Sequence, residues 1–214
     1  PLGLFDCCGV TDGAAAAILV PAHMAKSFRD DYVLIKGFGI SIGPGWGKED
    51  TRYDFTHWEE TERAARQAYQ MAGITNPRKE LDMIECHDCF SISELICMES
   101  LFISERGQAP EDVKKGANIP PGHPRLRELL GGKPDEPLPL EGEIPINISG
   151  GLKSFGHPIG ASGCREVYEI YKQIQGKAEE PSRQLKNVRL GLAHNQGGHP
   201  GIFMCGITIV GARD

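Results

Sequence analysis

Three short stretches hold residue types that could do chemistry together. The first is Cys86-His87-Asp88-Cys89-Phe90 and the second is a turn from Gly150 to Gly163 with His157 inside it. The third is His194-Asn195-Gln196-Gly197-Gly198. A free thiol has a pKa of about 8.5 and is mostly protonated at neutral pH, so it needs activation by a neighbouring base. An adjacent imidazole can supply that. The second stretch places five glycines along with its histidine. Glycine lets backbone approach a ligand closely and reach φ > 0 without a Cβ clash. Pro158 biases His157 toward an extended backbone that presents its ring. A histidine held on such a turn reads as a catalytic device; a loop histidine without a role is the plain alternative.

Two features of these stretches are less informative. Cys86 and Cys89 also spell Cys-x-x-Cys, but one such pair without a second pair or matched histidine spacing is a weak signal for zinc or redox chemistry. No metal is expected. Gly-His-Pro recurs at residues 122–124, 156–158 and 198–200, yet only the middle copy has a glycine-rich lead and a helical pattern after it. His123 therefore reads as a solvated loop residue, and His199 as either pocket lining or a plain turn.

The elements that must position these stretches follow from periodicity. Ala14–Val20 reads as a buried strand with no preceding element to pair with, which suggests a chain that begins inside a larger fold. Tyr32–Ile42, Leu81–Cys86, Ile144–Ile148, Val188–Ala193 and Ile202–Val210 read as strands. Thr56 and Glu59 form a possible capping box for a helix with Ala65, Ala68, Tyr69 and Ala72 on one face and Gly73 as terminator. A second helix is expected from Ile92 to about Phe102. A third follows the glycine turn, with Cys164, Val167, Tyr168, Tyr171 and Ile174 at helical steps and Gly176 as stop. Residues 104–143 are rich in proline, glycine and charge, and read as a long surface excursion with a short helix near Pro124–Leu130. Alternating strands and helices ending in two adjacent strands indicate an α/β layered domain. The suspicious residues fall where such folds place their sites, in loops leaving strand C-termini.

Composition narrows the partners. The 214 residues are 40% hydrophobic, enough for one substantial core. Net charge is −6, and no long basic run exists, which argues against nucleic acid or an anionic membrane as main partner. No apolar stretch reaches spanning length and no signal-peptide pattern opens the chain. Seven cysteines without a disulfide-framework spacing fit a reducing cytoplasm.

In this order and at these separations the three stretches resemble the thiolase superfamily. The likeness is to thiolases of the sterol-carrier-protein type and to the bacterial and archaeal thiolases that share their motifs. Most thiolases read Asn-Glu-Ala-Phe in the first loop and Cys-x-Gly in the last; the sterol-carrier-protein type reads His-Asp-Cys-Phe and His-Asn-x-Gly, as His87–Phe90 and His194–Gly197 do here. The resemblance implies a C-terminal half of the fold, with a mixed five-stranded sheet and helices on both faces. Residues 1–31 are then the tail of an N-terminal half, and 32–214 the C-terminal domain carrying the excursion.

The implied activity is that of an acetyl-CoA acetyltransferase, which cleaves 3-oxoacyl-CoA with coenzyme A or condenses acyl-CoAs. Coenzyme A is substrate and no cofactor is implied. By resemblance His157 activates a nucleophilic cysteine and donates to the thioester oxygen, and His87 completes that oxyanion site through a held water. Cys89 is the second acid/base, with a buried structural thiol as its plain alternative. Gly197 and Gly198 offer backbone N–H groups to a second oxyanion, Asn195 orients its loop, and Asp88 ties down the first loop.

The Cys-x-Ser-type loop that carries the thiolase nucleophile is missing from this sequence. Cys7 and Cys8 precede the Asp12-Gly13 strand without opening a helix, and Cys164 and Cys205 read as core. The chain is thus expected to need an N-terminal half on the same or another chain. Oligomers are implied, and relatives work with a small zinc-ribbon, OB-fold companion that the excursion could contact. Two alternatives stay open: a thiolase-like retro-aldolase acting on acyl-CoA side chains, and a non-catalytic partner subunit.

Overall fold

The sheet is organised around glycines. In the computed structural model, which describes residues 2–45, 53–120, 123 and 143–213, the regular elements run in the order α1 (Ala22–Ala25), β1 (Leu34–Ile42), α2 (Glu59–Ala72), α3 (Pro77–Glu80), β2 (Met83–Cys86), α4 (Ser91–Ser100), α5 (Ala109–Lys114), α6 (Gly151–Phe155), α7 (Ser162–Ile174), β3 (Leu190–Gly197) and β4 (Met204–Gly211). Along β1 the residues Gly37, Gly39 and Ser41 face inward and Phe38, Ile40 and Ile42 outward. A Cβ at Gly39 would lie 2.0 Å from the carbonyl oxygen of Ala64, and one at Gly37 2.4 Å from that of Ala68. Ala64, Ala65 and Ala68 of α2 are correspondingly fully buried, so small residues on both sides let helix and strand meet backbone to backbone. Gly73 ends α2 in the left-handed conformation, at φ 73°. The expected Thr56–Glu59 capping box does not form. Trp58 stands at the N-cap position, and the Thr56 N–H is held by Asp54 Oδ1 at 2.9 Å.

The strands hydrogen-bond in the order β1-β4-β3-β2, with β2 and β3 parallel and the other pairs antiparallel. The mixed sheet with helices on both faces is as expected, but among the described residues it has four strands rather than five. Among the described residues Ile144–Ile148 makes only the single bridge Ile84–Ile146. Pro145 has no N–H to give a ladder, and Asn147 turns to φ 52°. Its side chain takes over the pairing, accepting the Cys86 N–H at 2.8 Å.

The two faces carry separate cores, as alternation along a strand requires. Ile207, Ile209 and Leu192 pack with α2 and α4, whereas Val210, Ala193 and Met83 pack with Ile170 of α7. The buried side of α7 is more polar than its apolar periodicity predicts. Arg165, Glu166, Glu169, Lys172 and Gln173 are buried, while Tyr168 is exposed and Cys164 only half-buried. Charge compensation permits this: Glu169 pairs with Arg165 at 3.5 Å and with Lys172 at 2.9 Å, and the Arg165 guanidinium lies 3.5 Å over the Phe155 ring. Cys205, read as core, is fully buried.

Two further expectations change. Ala14–Val20 forms no strand, and Ile18 and Leu19 are 84% and 76% exposed, because the described residues give this run no sheet edge to join. The first part of the expected surface excursion is packed: Ala109 and Ala117 are buried, and the Ala117 and Asn118 carbonyls accept the N–H groups of Ile144 and Ile146. The helix expected near Pro124–Leu130 lies outside the described residues. Among the described residues no helix is long and apolar enough to cross a membrane.

The β1–α2 contact yields a direct test. Gly39→Val places a branched side chain against the Ala64 carbonyl, and overpacking of this kind should lower unfolding free energy by about 3 kcal/mol, measured by urea denaturation.

Candidate active site

A cavity of about 440 Å³ opens where the three stretches meet, and His87, Cys89, His157, Asn195, Gly197 and Gly198 all line it. Trp58, Phe90 and Phe203 supply apolar walls. Asp88, by contrast, stands behind the wall.

Each side chain arrives from a different element. His87 and Cys89 leave the C-terminal end of β2 and precede α4. His157 sits between α6 and α7. The third stretch is not a loop: His194–Gly197 continue β3, with Cys86 paired to His194 and Gly197 paired to Met204. Strand alternation then divides its roles, turning His194 and Gln196 into the core and Asn195 toward the cavity. Gly198, at φ 112°, makes the turn that follows. His199 is exposed in that turn, with its carbonyl accepting the Ile202 N–H at 2.9 Å.

Asp88 joins the first stretch to the second. Its Oδ1 accepts the Leu152 N–H at 2.6 Å, and a Cβ at Gly151 would lie 2.1 Å from its Oδ2. Gly151 is thus required twice, for this approach and for its φ of 63°. Burial raises the Asp88 carboxyl, and the Leu152 N–H opposes that rise. The tie runs to the glycine turn rather than within the first loop.

The N-terminal segment laces the same two stretches together. Cys8 N–H donates to the Cys89 carbonyl at 2.8 Å beside a bridge between Cys7 and Phe90. Three residues on, Val10 bridges His157, and Thr11 Oγ1 accepts the His157 N–H at 3.3 Å. Pro158 packs so closely on Gly13 that a Cβ there would be 2.6 Å from its Cγ. Sequence reasoning weighed Cys8 only as a nucleophile and passed over Thr11, which has no motif of its own.

The hydrogen bonds assign both imidazoles. His157 Nδ1 lies 2.7 Å from Ser162 Oγ, whose own hydrogen goes to the Pro158 carbonyl at 3.2 Å. With the hydroxyl hydrogen on the Pro158 carbonyl, Nδ1 carries the proton and Nε2 is bare. His87 has the opposite arrangement. Its Nδ1 accepts from Asn195 Nδ2 at 3.3 Å and faces the Gln196 N–H at 3.5 Å, so the proton sits on Nε2. The two rings meet edge to face with centroids 4.8 Å apart. Burial, with the neighbouring His194 and His157, pushes His87 down to about 3, and burial lowers His157 as well. Both rings are pushed toward their neutral forms, one presenting a donor and the other an acceptor.

Cys89 completes the group. Burial raises its thiol, and Sγ lies 4.0 Å from Ser93 Oγ. Cys86 points elsewhere, into the core beside Asn147, so the Cys-x-x-Cys pair is split between two environments. Among the described residues no group of three or more histidine, cysteine or acidic side chains has a metal-binding arrangement. Beneath the cavity, His194 Nε2 lies 2.9 Å from Thr61 Oγ1, which donates to Gln196 Oε1 at 2.7 Å, and Trp58 stacks on the His194 ring.

The chain belongs to the thiolase C-terminal domain-like family, whose profile matches residues 48–124 and 134–210. It is 37% identical over 201 residues to an acetyl-CoA acetyltransferase of Methanothermobacter thermautotrophicus, covering 94% of this chain and 46% of that protein. It is 32% identical over 200 residues to human sterol carrier protein 2, covering 92% of this chain and 32% of that one. The chain thus spans half the length or less of these relatives. A solved structure named Ltp2-ChsH2(DUF35) aldolase superposes with a TM-score of 0.73 at 21% identity, over 99% of this chain and 48% of that one, and shares the fold. The likeness to thiolases of the sterol-carrier-protein type, read from the motifs, is borne out.

Buried carboxyls below the site make stability fall with rising pH. Burial raises Glu85 from 4.5 to about 8 and Glu94 to about 7. The folded state therefore holds protons that the unfolded state has released between about pH 4.5 and 8, and stability drops across that window. Glu85→Gln should remove ~1–3 kcal/mol of that drop, measured as the difference in unfolding free energy between pH 5 and pH 8.5.

Proposed function

We propose that this chain is the C-terminal half of a thiolase-type acyl-CoA acetyltransferase, which reversibly cleaves 3-oxoacyl-CoA with coenzyme A. The observation that carries this reading is the convergence of a bare imidazole nitrogen, an imidazole donor and a protonated thiol on one cavity. His157 Nε2 takes the proton of a cysteine supplied by the N-terminal half, and the resulting thiolate attacks the substrate's keto carbon. The His87 Nε2–H, acting through a held water, stabilises the negative charge that develops on oxygen. When the carbon–carbon bond breaks, Cys89 gives its proton to the acetyl carbanion, which its buried, protonated thiol suits. Gly197 and Gly198 line the side where backbone N–H groups can meet a second oxyanion.

Exposed apolar surface supports a missing half. Phe38, Ile40 and Ile42 of β1 and Met204 of β4 are 52–60% exposed on the sheet face that α2 does not cover. A contiguous apolar patch of this kind marks an interaction surface. With the exposed run at Ala14–Leu19, it is the proposed seat of the N-terminal half, to which residues 1–31 belong. The relatives' names support acyl-CoA and coenzyme A as the substrates. The solved neighbour's name, which joins Ltp2 to ChsH2(DUF35), supports a companion protein of that kind.

The same name favours one second reading, a retro-aldolase that cleaves an acyl-CoA side chain. In the full-length protein, His157→Ala should abolish acyl-enzyme formation, detected as added mass on the nucleophilic cysteine. Cys89→Ala should still acylate but neither condense nor cleave carbon–carbon bonds. His87→Ala should slow acylation by about 10²–10³-fold. Cleavage by the wild-type protein without an acyl-enzyme and without consumption of coenzyme A would establish the aldolase instead.

A further inference from the structure

We infer that Glu166 is a positioning residue for His87, acting through the side-chain amide of Asn195; the role in turnover rests on the thiolase-type reading. Asn195 Nδ2 lies 3.3 Å from His87 Nδ1 and 3.3 Å from Glu166 Oε1. An amide nitrogen has two hydrogens, so one Asn195 side chain donates to both. The Gln196 N–H also faces His87 Nδ1, but at 3.5 Å it is the weaker contact and leaves the amide's orientation to set which ring nitrogen carries the proton. Glu166 then supplies the acceptor that holds the amide in this orientation.

The helix geometry places Glu166 for this task. A Cβ at Gly163 would lie 3.3 Å from both Cβ and Cγ of Asn195, so the asparagine rests directly on the first turn of α7. Glu166 is three residues further on and shares that helix face. It is fully buried, and Oε2 has no hydrogen-bond partner among the described residues. Burial raises its carboxyl well above 4.5, and Oε1 accepts from the amide. Loss of that acceptor frees Asn195 to turn its oxygen toward His87. His87 would then shift its proton to Nδ1, and the donor on the cavity side would be gone.

The test compares Glu166→Gln, which keeps an acceptor oxygen at the same reach, with Glu166→Leu, which fills similar space without one. In the full-length enzyme the glutamine variant should retain kcat within about threefold. The leucine variant should lose about 10–100-fold in kcat with KM little changed, because the His87 donor acts on charge formed in the transition state. Asn195→Ser should show the same loss, and the Glu166→Leu/Asn195→Ser double variant no further loss, as members of one chain are non-additive. Glu166→Ala replaces the leucine variant should that one fail to fold. Equal kcat for the glutamine and leucine variants, or additive losses in the double variant, overturns the inference. If the wild-type protein forms no acyl-enzyme, the thiolase reading fails, and crystal structures of the two Glu166 variants decide the link alone. The His87 ring should be unmoved with glutamine and displaced with leucine; an unmoved ring in both rejects the link.

Discussion

Two imidazoles share one half-buried cavity, and both must stay neutral while presenting opposite chemistry to it. Their rings are 4.8 Å apart, a separation at which two positive charges with little water between them would repel strongly. Burial removes that danger by pushing both rings toward their neutral forms. Neutrality alone would leave the tautomers undetermined. Each ring is therefore anchored at Nδ1 by a partner of opposite kind: an acceptor hydroxyl from Ser162 for His157, and donors from Asn195 and Gln196 for His87. The cavity-side nitrogens become an acceptor and a donor without any change in net charge.

The remainder of the fold serves to keep those anchors in register. β2 and β3 run parallel, so His87 emerges beside Asn195 and Gln196 rather than opposite them. Asp88 crosses to Leu152 and fixes the distance between the first stretch and the glycine turn, through a contact that only Gly151 allows. Residues 7–11 bind the same two stretches from outside, by backbone pairing at Phe90 and His157. Under the cavity the Thr61, His194 and Gln196 network satisfies buried polar groups that would otherwise be costly. Loops alone would scatter such a site. Here every member is tied to a sheet edge, a helix turn or another member.

Much of this was legible because motif chemistry and local geometry agreed. His157 stood out through glycines that the structure uses at positive φ, notably Gly150, Gly151 and Gly156. Strands and helices with strong periodicity appeared near their expected bounds. Where expectation failed, tertiary context decided. Ile144–Ile148 looked like a strand, but Pro145 and the left-handed Asn147 prevent a ladder. The third stretch looked like a loop because its glycines and polar residues mask a strand continuation. The apolar stripe of α7 pointed to Tyr168, yet the buried side carries compensated charges, which periodicity cannot register. Ser162 and Glu166 were missed although Ser162 lies four residues after Pro158 and Glu166 three after Gly163; their signal is spacing from the glycine turn, not residue type.

Histidine ring nitrogens report protonation directly, so ¹⁵N NMR of the histidine-labelled full-length protein at pH 7 tests the account most plainly, with His87→Ala and His157→Ala variants to assign the signals. The account predicts two neutral rings of opposite tautomer, His87 protonated at Nε2 and His157 at Nδ1. Matching tautomers, or an imidazolium at either position, would contradict it.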